Sequence, residues 1–513
     1  MNLSMLLDMA ADGFADRVVV GSRHGGLTAG ELGAQARAGA DRIRAEGADS
    51  VVYLAVNGPA FPVAMFAAAH AGVPLIPVNY RLGREQLDAL LANHPNALGI
   101  ADAEHVHILE SAGLSTRTPQ RWLDDVRAGA DRNPPPGSEN SYAAADSAAA
   151  AVVIYTSGTT AAPKGVLLRH ENLTSYVFGS VEFASAADTD AALVSVPPYH
   201  IAAVANVITN LYAGRRTLVL EQFAPDEWLR TVRDEGVTNA LVVPTMLARI
   251  VDSAADKQVP TLRNLAYGGA PMPSRVIERA LELWPHVGFV NAYGLTETSS
   301  TVTVLGPQDH RDALESDDPA VRARLASVGR PLPGVVVEIR AADDTALPPG
   351  EVGRICIAGE QVSAEYAGVG RVVDDRGFFD TRDAGHLDVD GFLFVKGRAD
   401  DTIIRGAENI APAEIEDVLL RHPDVLDVAV VGVPDDEWGQ RIEAVVVPRG
   451  DSRPDVEELR THVRTALRSS KTPDRIVFWD QVPRTETGKL VRRHVVERLH
   501  TADADLASTH PGR

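Results

Sequence analysis

The chain has 513 residues, 45% hydrophobic and 23% charged, with 49 Lys plus Arg against 70 Asp plus Glu and a formal net charge of -21. That length calls for roughly two to four domains or subdomains, and so acidic a surface argues against nucleic acid or anionic lipid as a partner while leaving room for one local nucleotide site. A single cysteine, Cys356, excludes a disulfide framework or a cysteine-based metal site within one chain.

Met1 to Asp16 carries Asp8, Asp12 and Asp16 but no basic residue, unlike the front of a signal peptide. Leu27 to Leu32 opens a helix, with Thr28 as N-cap and Glu31 at the capping-box position. Val51 to Val56 and Val73 to Val78 read as strands flanking an Ala-rich helix, Pro62 to Ala71. This alternation predicts βαβ units and a mostly parallel sheet. A Pro-, Gly- and Ser-rich connection, Asn133 to Ser147, precedes a short apolar strand, Ala148 to Ile154. Ala191 to Gly214 lacks charged residues, yet Pro197, Pro198, His200, Asn206 and Asn210 divide it into a strand, a turn and a buried helix. No integral membrane segment is expected, and a cytoplasmic location follows.

Further strands are read at Leu193 to Val196, Thr217 to Leu220, Ala240 to Val243 and Leu265 to Tyr267. From Gly334 the texture changes to short strands broken by Gly and Pro, such as Val335 to Ile339 and Gly353 to Ile357. This predicts a β-rich module over about residues 330–397. Beyond Gly397, Ile415 to Leu420, Val428 to Val433, Ala444 to Val447, a helix at Val456 to Leu467 and Ile476 to Trp479 fit a compact α+β domain.

Tyr155 to Gly165, YTSGTTAAPKG, concentrates hydroxyls, glycines and Lys164 after a strand, a combination suited to a polyphosphate. It is not a Walker loop. Counting from Gly158, Pro163 stands at the second glycine position, and Gly165 replaces the Ser or Thr that follows the lysine. Gly268-Gly269-Ala270-Pro271 and Asn291 to Thr298 each follow an apolar segment, which predicts two ligand-facing strand ends in one sheet. Tyr293 offers a stacking face there, with Thr296 and Glu297 for phosphate and metal. Two ordinary turns and a helix cap would read the same way. Gly377 to Gly385 and Gly397 to Asp401 add Asp383, a carboxylate able to accept two bonds from vicinal hydroxyls. A surface Asp–Arg pair is the plainer alternative. Lys489 closes a final Thr/Gly loop, Pro483 to Lys489.

Together and in this order, the five motifs resemble the adenylate-forming superfamily of acyl-CoA synthetases, luciferases and peptide-synthetase adenylation domains. The resemblance runs from Tyr80-Arg81-Leu82 to Lys489, nearly the whole chain. It implies an α/β fold: a large N-terminal domain (1–397) of two βαβ-type sheets plus a distorted β-barrel. A smaller mobile α+β domain (398–513) would rotate about a hinge at Asp400. It also implies an acid–thiol ligase using ATP, Mg²⁺ and coenzyme A, with small molecules as partners; the oligomeric state stays open, a homodimer among the alternatives. By the same resemblance, Thr156, Ser157, Gly158, Thr159, Thr160 and Lys164 would cradle the β- and γ-phosphates as a flap. Thr296 would contact the α-phosphate and Glu297 would hold Mg²⁺. Tyr293 would stack on adenine, with Gly269, Ala270, Asn291, Ala292 and Gly294 around it. Asp383 and Arg398 would hold the ribose, and Lys489 would bridge carboxylate and α-phosphate during adenylation only. The acyl pocket would include His200, Val204, Met246, Gly268 and Tyr293, and the thioester-forming loop Arg405, Gly406, Ala407 and Glu408.

Three family glycines are replaced, by Ala161, Arg382 and Ala407, which matters wherever the backbone needs a positive φ or a close ligand approach. The leading expectation is an acid–CoA ligase for a fatty or aromatic acid, since the Pro197 to Val204 segment has no acidic residue to meet an amino group. Loading of a carrier-protein phosphopantetheine, or a nucleotide-binding protein that has lost catalysis, are the alternatives.

Overall fold

The computed structural model describes residues 1–131, 146–156, 164–405, 408–435, 438–467, 469–485 and 488–509. The Thr28 capping box forms as expected: Thr28 Oγ1 accepts from Glu31 N at 3.2 Å, and Glu31 Oε2 from Thr28 N at 2.9 Å. It starts the helix Ala29–Ala45, which packs on the helix Ala60–Ala71. The uncharged stretch becomes the strand Ala191–Val194, a turn and the helix Ile201–Ala213. Among the described residues no helix is long and apolar enough to cross a membrane.

An eight-stranded sheet is built around Ser50–Leu54, which pairs in parallel with Leu75–Pro77 and Ala97–Ala101. Val51, Val52, Tyr53 and Leu54 are all buried, as a parallel strand covered on both faces requires. On one side this sheet continues through an antiparallel hairpin, Ala150–Thr156 with Lys164–Arg169, to Glu365–Tyr366 and ends at Gly370–Arg371. A nine-stranded sheet carries Ala191–Val194, Asn239–Val242, Asn264–Gly268 and Gly288–Leu295 as parallel neighbours. The β-rich module supplies a four-stranded antiparallel sheet of Val336–Arg340, Gly353–Ala358, Phe379–Leu387 and Leu393–Arg398. The small C-terminal domain wraps helices around the three strands Val425–Asp435, Gly439–Pro448 and Arg475–Phe478.

Two boundaries differ from the sequence reading. The motif Asn291 to Thr298 does not follow a strand; the strand runs through it to Leu295. Antiparallel pairing with Ser300–Leu305 extends it past the end of its parallel neighbour. Arg398 closes the strand Leu393–Arg398 and pairs in register with Asp383, so the sheet reaches one residue beyond position 397.

Candidate active site

The ends of Asn264–Gly268 and Gly288–Leu295 lie side by side, with Gly268 opposite Ala292. Neither glycine there can carry a side chain. A Cβ on Gly268 would stand 2.2 Å from the Ala292 carbonyl oxygen, and one on Gly294 1.8 Å from that of Ser300. Gly269 (φ 82°) then turns the chain away before Ala270. Thr296–Thr298 forms a single 3-10 turn, tied by Leu295 N donating to Thr298 Oγ1 at 2.9 Å. Gln361 Nε2 braces the turn from outside, donating to the carbonyls of Thr298 and Thr301 at 3.0 and 2.8 Å. Ser299 and Ser300 hold φ of 57° and 106°, a strained pair just after Glu297. The Asn291 amide donates to the Ser327 carbonyl at 3.0 Å, so part of its polar capacity is structural.

Glu297 meets a residue that the motifs do not contain. Tyr366 Oη donates to Glu297 Oε1 at 2.8 Å, while Glu297 O accepts from Ala364 N at 2.9 Å. Tyr366 lies in a two-residue strand paired to Val166, which brings Lys164 Nζ to 5.9 Å from its ring centroid. Arg169 secures that strand through a two-pronged bond to Glu365, 2.8 Å on each arm. Thr156, opposite Lys164 in the hairpin, completes the described part of the phosphate motif. Ser157, Gly158, Thr159, Thr160 and Ala161 lie outside the described residues, as do Gly406 and Ala407.

Asp383, only 7% exposed, joins two partners. Tyr293 Oη donates to its Oδ2 at 2.7 Å, and Arg398 Nη1 to its Oδ1 at 3.2 Å. Arg398 Nη1 also reaches the Thr381 carbonyl at 2.9 Å. Burial, reinforced by the Asp383 charge, raises the Tyr293 phenol well above its ordinary pKa and keeps it a hydrogen-bond donor.

Lys489 arrives from the small domain. Hydrogen bonds tie the described residues of its loop: Thr485 N donates to Lys489 O at 2.7 Å, Lys489 N to Thr485 Oγ1 at 3.0 Å, and Arg484 Nη1 to Gly488 O at 2.8 Å. Arg484 is held in turn by Asp427, at 2.9 and 2.6 Å. Gly488, at φ 76°, lies against Thr245 of the helix Pro244–Asp252 in the large domain. A second contact between the domains is made where Asp417 Oδ1 accepts from Ser274 N and Oγ, at 3.3 and 3.1 Å. Lys489 itself keeps access to water, although protein surrounds much of it. That enclosure lowers its pKa, as does Arg398, while Asp383, Glu297 and Asp401 pull it back up. His200 feels the same lysine: burial first, then Lys489, bring its pKa down to about 4, so it is neutral near pH 7.

The remaining sequence-predicted residues are less concentrated. His200 caps the helix Ile201–Ala213, with its ring 4.7 Å from that of Tyr199. Val204 and Met246 are buried in two different apolar cores. An enclosed apolar cavity of about 20 Å³ lies beside Ala203 and Val207, room for a water but not an acyl chain. In the small domain, Arg405 forms a two-pronged bond to Asp474, 2.8 Å on each arm, with Glu408 opposite it in a hairpin. Asp400 lies in the 3-10 turn Ala399–Asp401, and Arg492 reaches Asp401 at 3.4 Å. Tyr366, Gln361 and the Ser274–Asp417 contact were not foreseen. No local pattern marks them, because each acts on a partner more than sixty residues away.

Glycine-bared strand ends, the Asp383–Arg398 pair, Glu297 and a lysine from the small domain whose charge they influence suit a nucleotide-dependent activating enzyme. The chain matches the model of the AMP-binding enzyme family over residues 7–367 and that of the AMP-binding enzyme C-terminal domain over residues 414–489. It belongs to that family. It is 35% identical over 493 residues to a feruloyl-CoA synthase from Amycolatopsis sp, covering 93% of this chain and 95% of the relative. It is 32% identical over 472 residues to a fatty acid–[acyl-carrier-protein] ligase from Streptomyces coeruleorubidus, covering 88% and 87%. Among solved structures, o-succinylbenzoate CoA synthetase from Bacillus subtilis in complex with its acyl-adenylate intermediate superposes with a TM-score of 0.82 at 26% identity, covering 96% of this chain and 97% of that one.

Proposed function

We propose that this chain is an ATP-dependent carboxylic acid–CoA ligase that works through an acyl-adenylate and accepts a fatty or aromatic acid. One observation carries the reading. Lys489, near the far end of the sequence, lies close enough to Glu297, Asp383 and Arg398 for their charges to act on it. A carboxylate and the α-phosphate are both anions, so their reaction needs a positive charge placed between them.

In the first half-reaction a carboxylate oxygen attacks the α-phosphorus, and the bond to the bridging oxygen of the β-phosphate breaks, releasing pyrophosphate. Lys489 neutralises the approach, Thr296 contacts the α-phosphate, and Thr156, Ser157, Gly158, Thr159, Thr160 and Lys164 surround the departing phosphates. Tyr293 and its neighbours Gly269, Ala270, Asn291, Ala292 and Gly294 hold the base, and Asp383 with Arg398 the ribose. Glu297 is suited to Mg²⁺: Tyr366 occupies one carboxylate oxygen, the other has no hydrogen-bond partner among the described residues, and this ion is commonly held by one or two carboxylates plus substrate phosphates. No cluster of three metal-ligating side chains is present among the described residues, and none is needed for such binding. Bound there, Mg²⁺ would neutralise charge on the polyphosphate.

In the second half-reaction the small domain, 398–513, rotates about Asp400 and brings in Arg405, Gly406, Ala407 and Glu408. A thiol sulfur attacks the acyl carbon, AMP leaves and the thiol proton passes to solvent. His200, Val204, Met246, Gly268 and Tyr293 form the acyl-facing set of this reading. A carrier-protein phosphopantetheine in place of CoA is the second reading, supported by the similarity to a fatty acid–[acyl-carrier-protein] ligase. A screen of pyrophosphate release over short, medium, long-chain and aromatic acids, with and without CoA, tests both. The proposal expects acid-dependent release and a CoA thioester. Release without any CoA thioester favours the carrier protein, and no release with any acid contradicts both.

A further inference from the structure

The helix Ser274–Leu283 in the large domain starts without a cap of its own. Pro273, at its N-cap position, has no side-chain oxygen to accept from the first turn. That turn also carries Arg275 and no acidic residue, the charge pattern that a helix N-terminus disfavours. The cap comes from the other domain. Asp417 Oδ1 accepts from Ser274 N at 3.3 Å and from Ser274 Oγ at 3.1 Å, across 143 residues of sequence. Arg421, one turn later on the Asp417 helix, donates Nη2 to Asp417 Oδ2 at 2.7 Å.

The helix that carries Asp417, Pro412–Leu420, is fastened to the lysine loop. Its Glu416 accepts from Arg492 Nη2 at 2.6 and 2.7 Å, and Arg492 begins the helix that follows Lys489. Arg492 Nε also donates to Val430 O at 3.1 Å, in the strand that supplies Asp427 to Arg484 of the same loop. Two contacts thus hold the small domain against neighbouring large-domain helices. Gly488 lies on Thr245 of Pro244–Asp252, and Asp417 sits at the start of Ser274–Leu283. The first is a steric fit, the second a charge-assisted hydrogen bond.

We propose that Asp417 is a positioning residue for adenylation: by capping the large-domain helix at Ser274 it holds the small domain where Lys489 can act, and the cap is given up when the domain turns for thioester formation. The helix gains this cap only in the seated arrangement, so the contact biases the domains toward it. This rests on the ligase reading above and its two half-reactions.

The test separates the half-reactions in the full-length protein. One assay follows acid-dependent pyrophosphate release, the other thioester formation from preformed acyl-adenylate and CoA. Asp417→Ala is expected to slow the first about fivefold and leave the second within about twofold. Ser274→Ala keeps the backbone donor but loses the hydroxyl, so a loss of about twofold is expected in the first assay alone. Added to Asp417→Ala, it should cost nothing further, because the two residues share one contact. Arg421→Ala breaks the ion pair within the Asp417 helix, leaves the bonds to Ser274 and should stay within about twofold in both assays. Equal losses in both half-reactions would mark a structural role and overturn the proposal. So would an Arg421→Ala loss as large as that of Asp417→Ala, or additive losses in the double variant. If the unaltered protein releases no pyrophosphate with any acid, or makes no CoA thioester, the ligase reading itself fails; if it does both and Asp417→Ala matches it, only the role of Asp417 does.

Discussion

Gly488→Ala tests whether the lysine loop must seat on the large domain. At φ 76° the added methyl carries a left-handed strain of about 1 kcal/mol wherever the small domain lies, because the loop is closed by its own hydrogen bonds. The seated arrangement adds a second cost. A Cβ would stand 2.4 Å from Thr245 Oγ1, 2.5 Å from its Cγ2 and 3.0 Å from its Cβ. Overpacking of this kind costs about 1–3 kcal/mol, which predicts roughly a 5- to 150-fold slower adenylation. The assay compares acid-dependent pyrophosphate release with thioester formation from a preformed acyl-adenylate. The first should fall by that factor and the second should stay within about twofold. Thr245→Ala removes both atoms under 3.0 Å, so the double variant should recover most of the loss, a coupling expected of residues in contact. Equal loss in both half-reactions, or no recovery, would refute the seating argument.

Tyr366→Phe removes the donor to Glu297, a bond to a carboxylate worth about 1.5 kcal/mol, and should change the Mg²⁺ concentration for half-maximal pyrophosphate release by about tenfold; an unchanged Mg²⁺ dependence contradicts that link. The pH profile follows from Lys489. With its pKa lowered from 10.5, the charged form needed for adenylation disappears at lower pH than for an exposed lysine, giving an alkaline limb that Lys489→Arg should move upward. His200, with its pKa near 4, is already neutral, so His200→Asn should leave the profile between pH 5 and 8 unchanged in shape. Gly294→Ala should yield little folded protein because the added atom meets backbone at 1.8 Å; Gly58→Ala, with open space around it, should shift stability by no more than about 0.5 kcal/mol.

Local chemistry was legible in the sequence. The Thr28 capping box and the strand-turn-helix division of Ala191 to Gly214 both depend on short-range rules. The convergence of Glu297, Asp383, Arg398 and Lys489 was reached only through the resemblance, because spacing along a chain does not determine distance across a cleft. The contact of Tyr366 with Glu297 is not legible for the same reason: the two lie 69 residues apart, with Tyr366 in a strand of two residues. At Arg382 the missing glycine was visible, but the sign of φ that makes it matter depends on a register shift between two strands.

In the proposed mechanism, Lys489 serves adenylation from a seated small domain and takes no part in thioester formation. Lys489→Ala, assayed separately in the two half-reactions, tests it most directly. Acid-dependent pyrophosphate release is expected to fall by about 100- to 1,000-fold, with thioester formation from preformed acyl-adenylate within about twofold of the unaltered protein. Unchanged pyrophosphate release, or an equal loss in both steps, would contradict it.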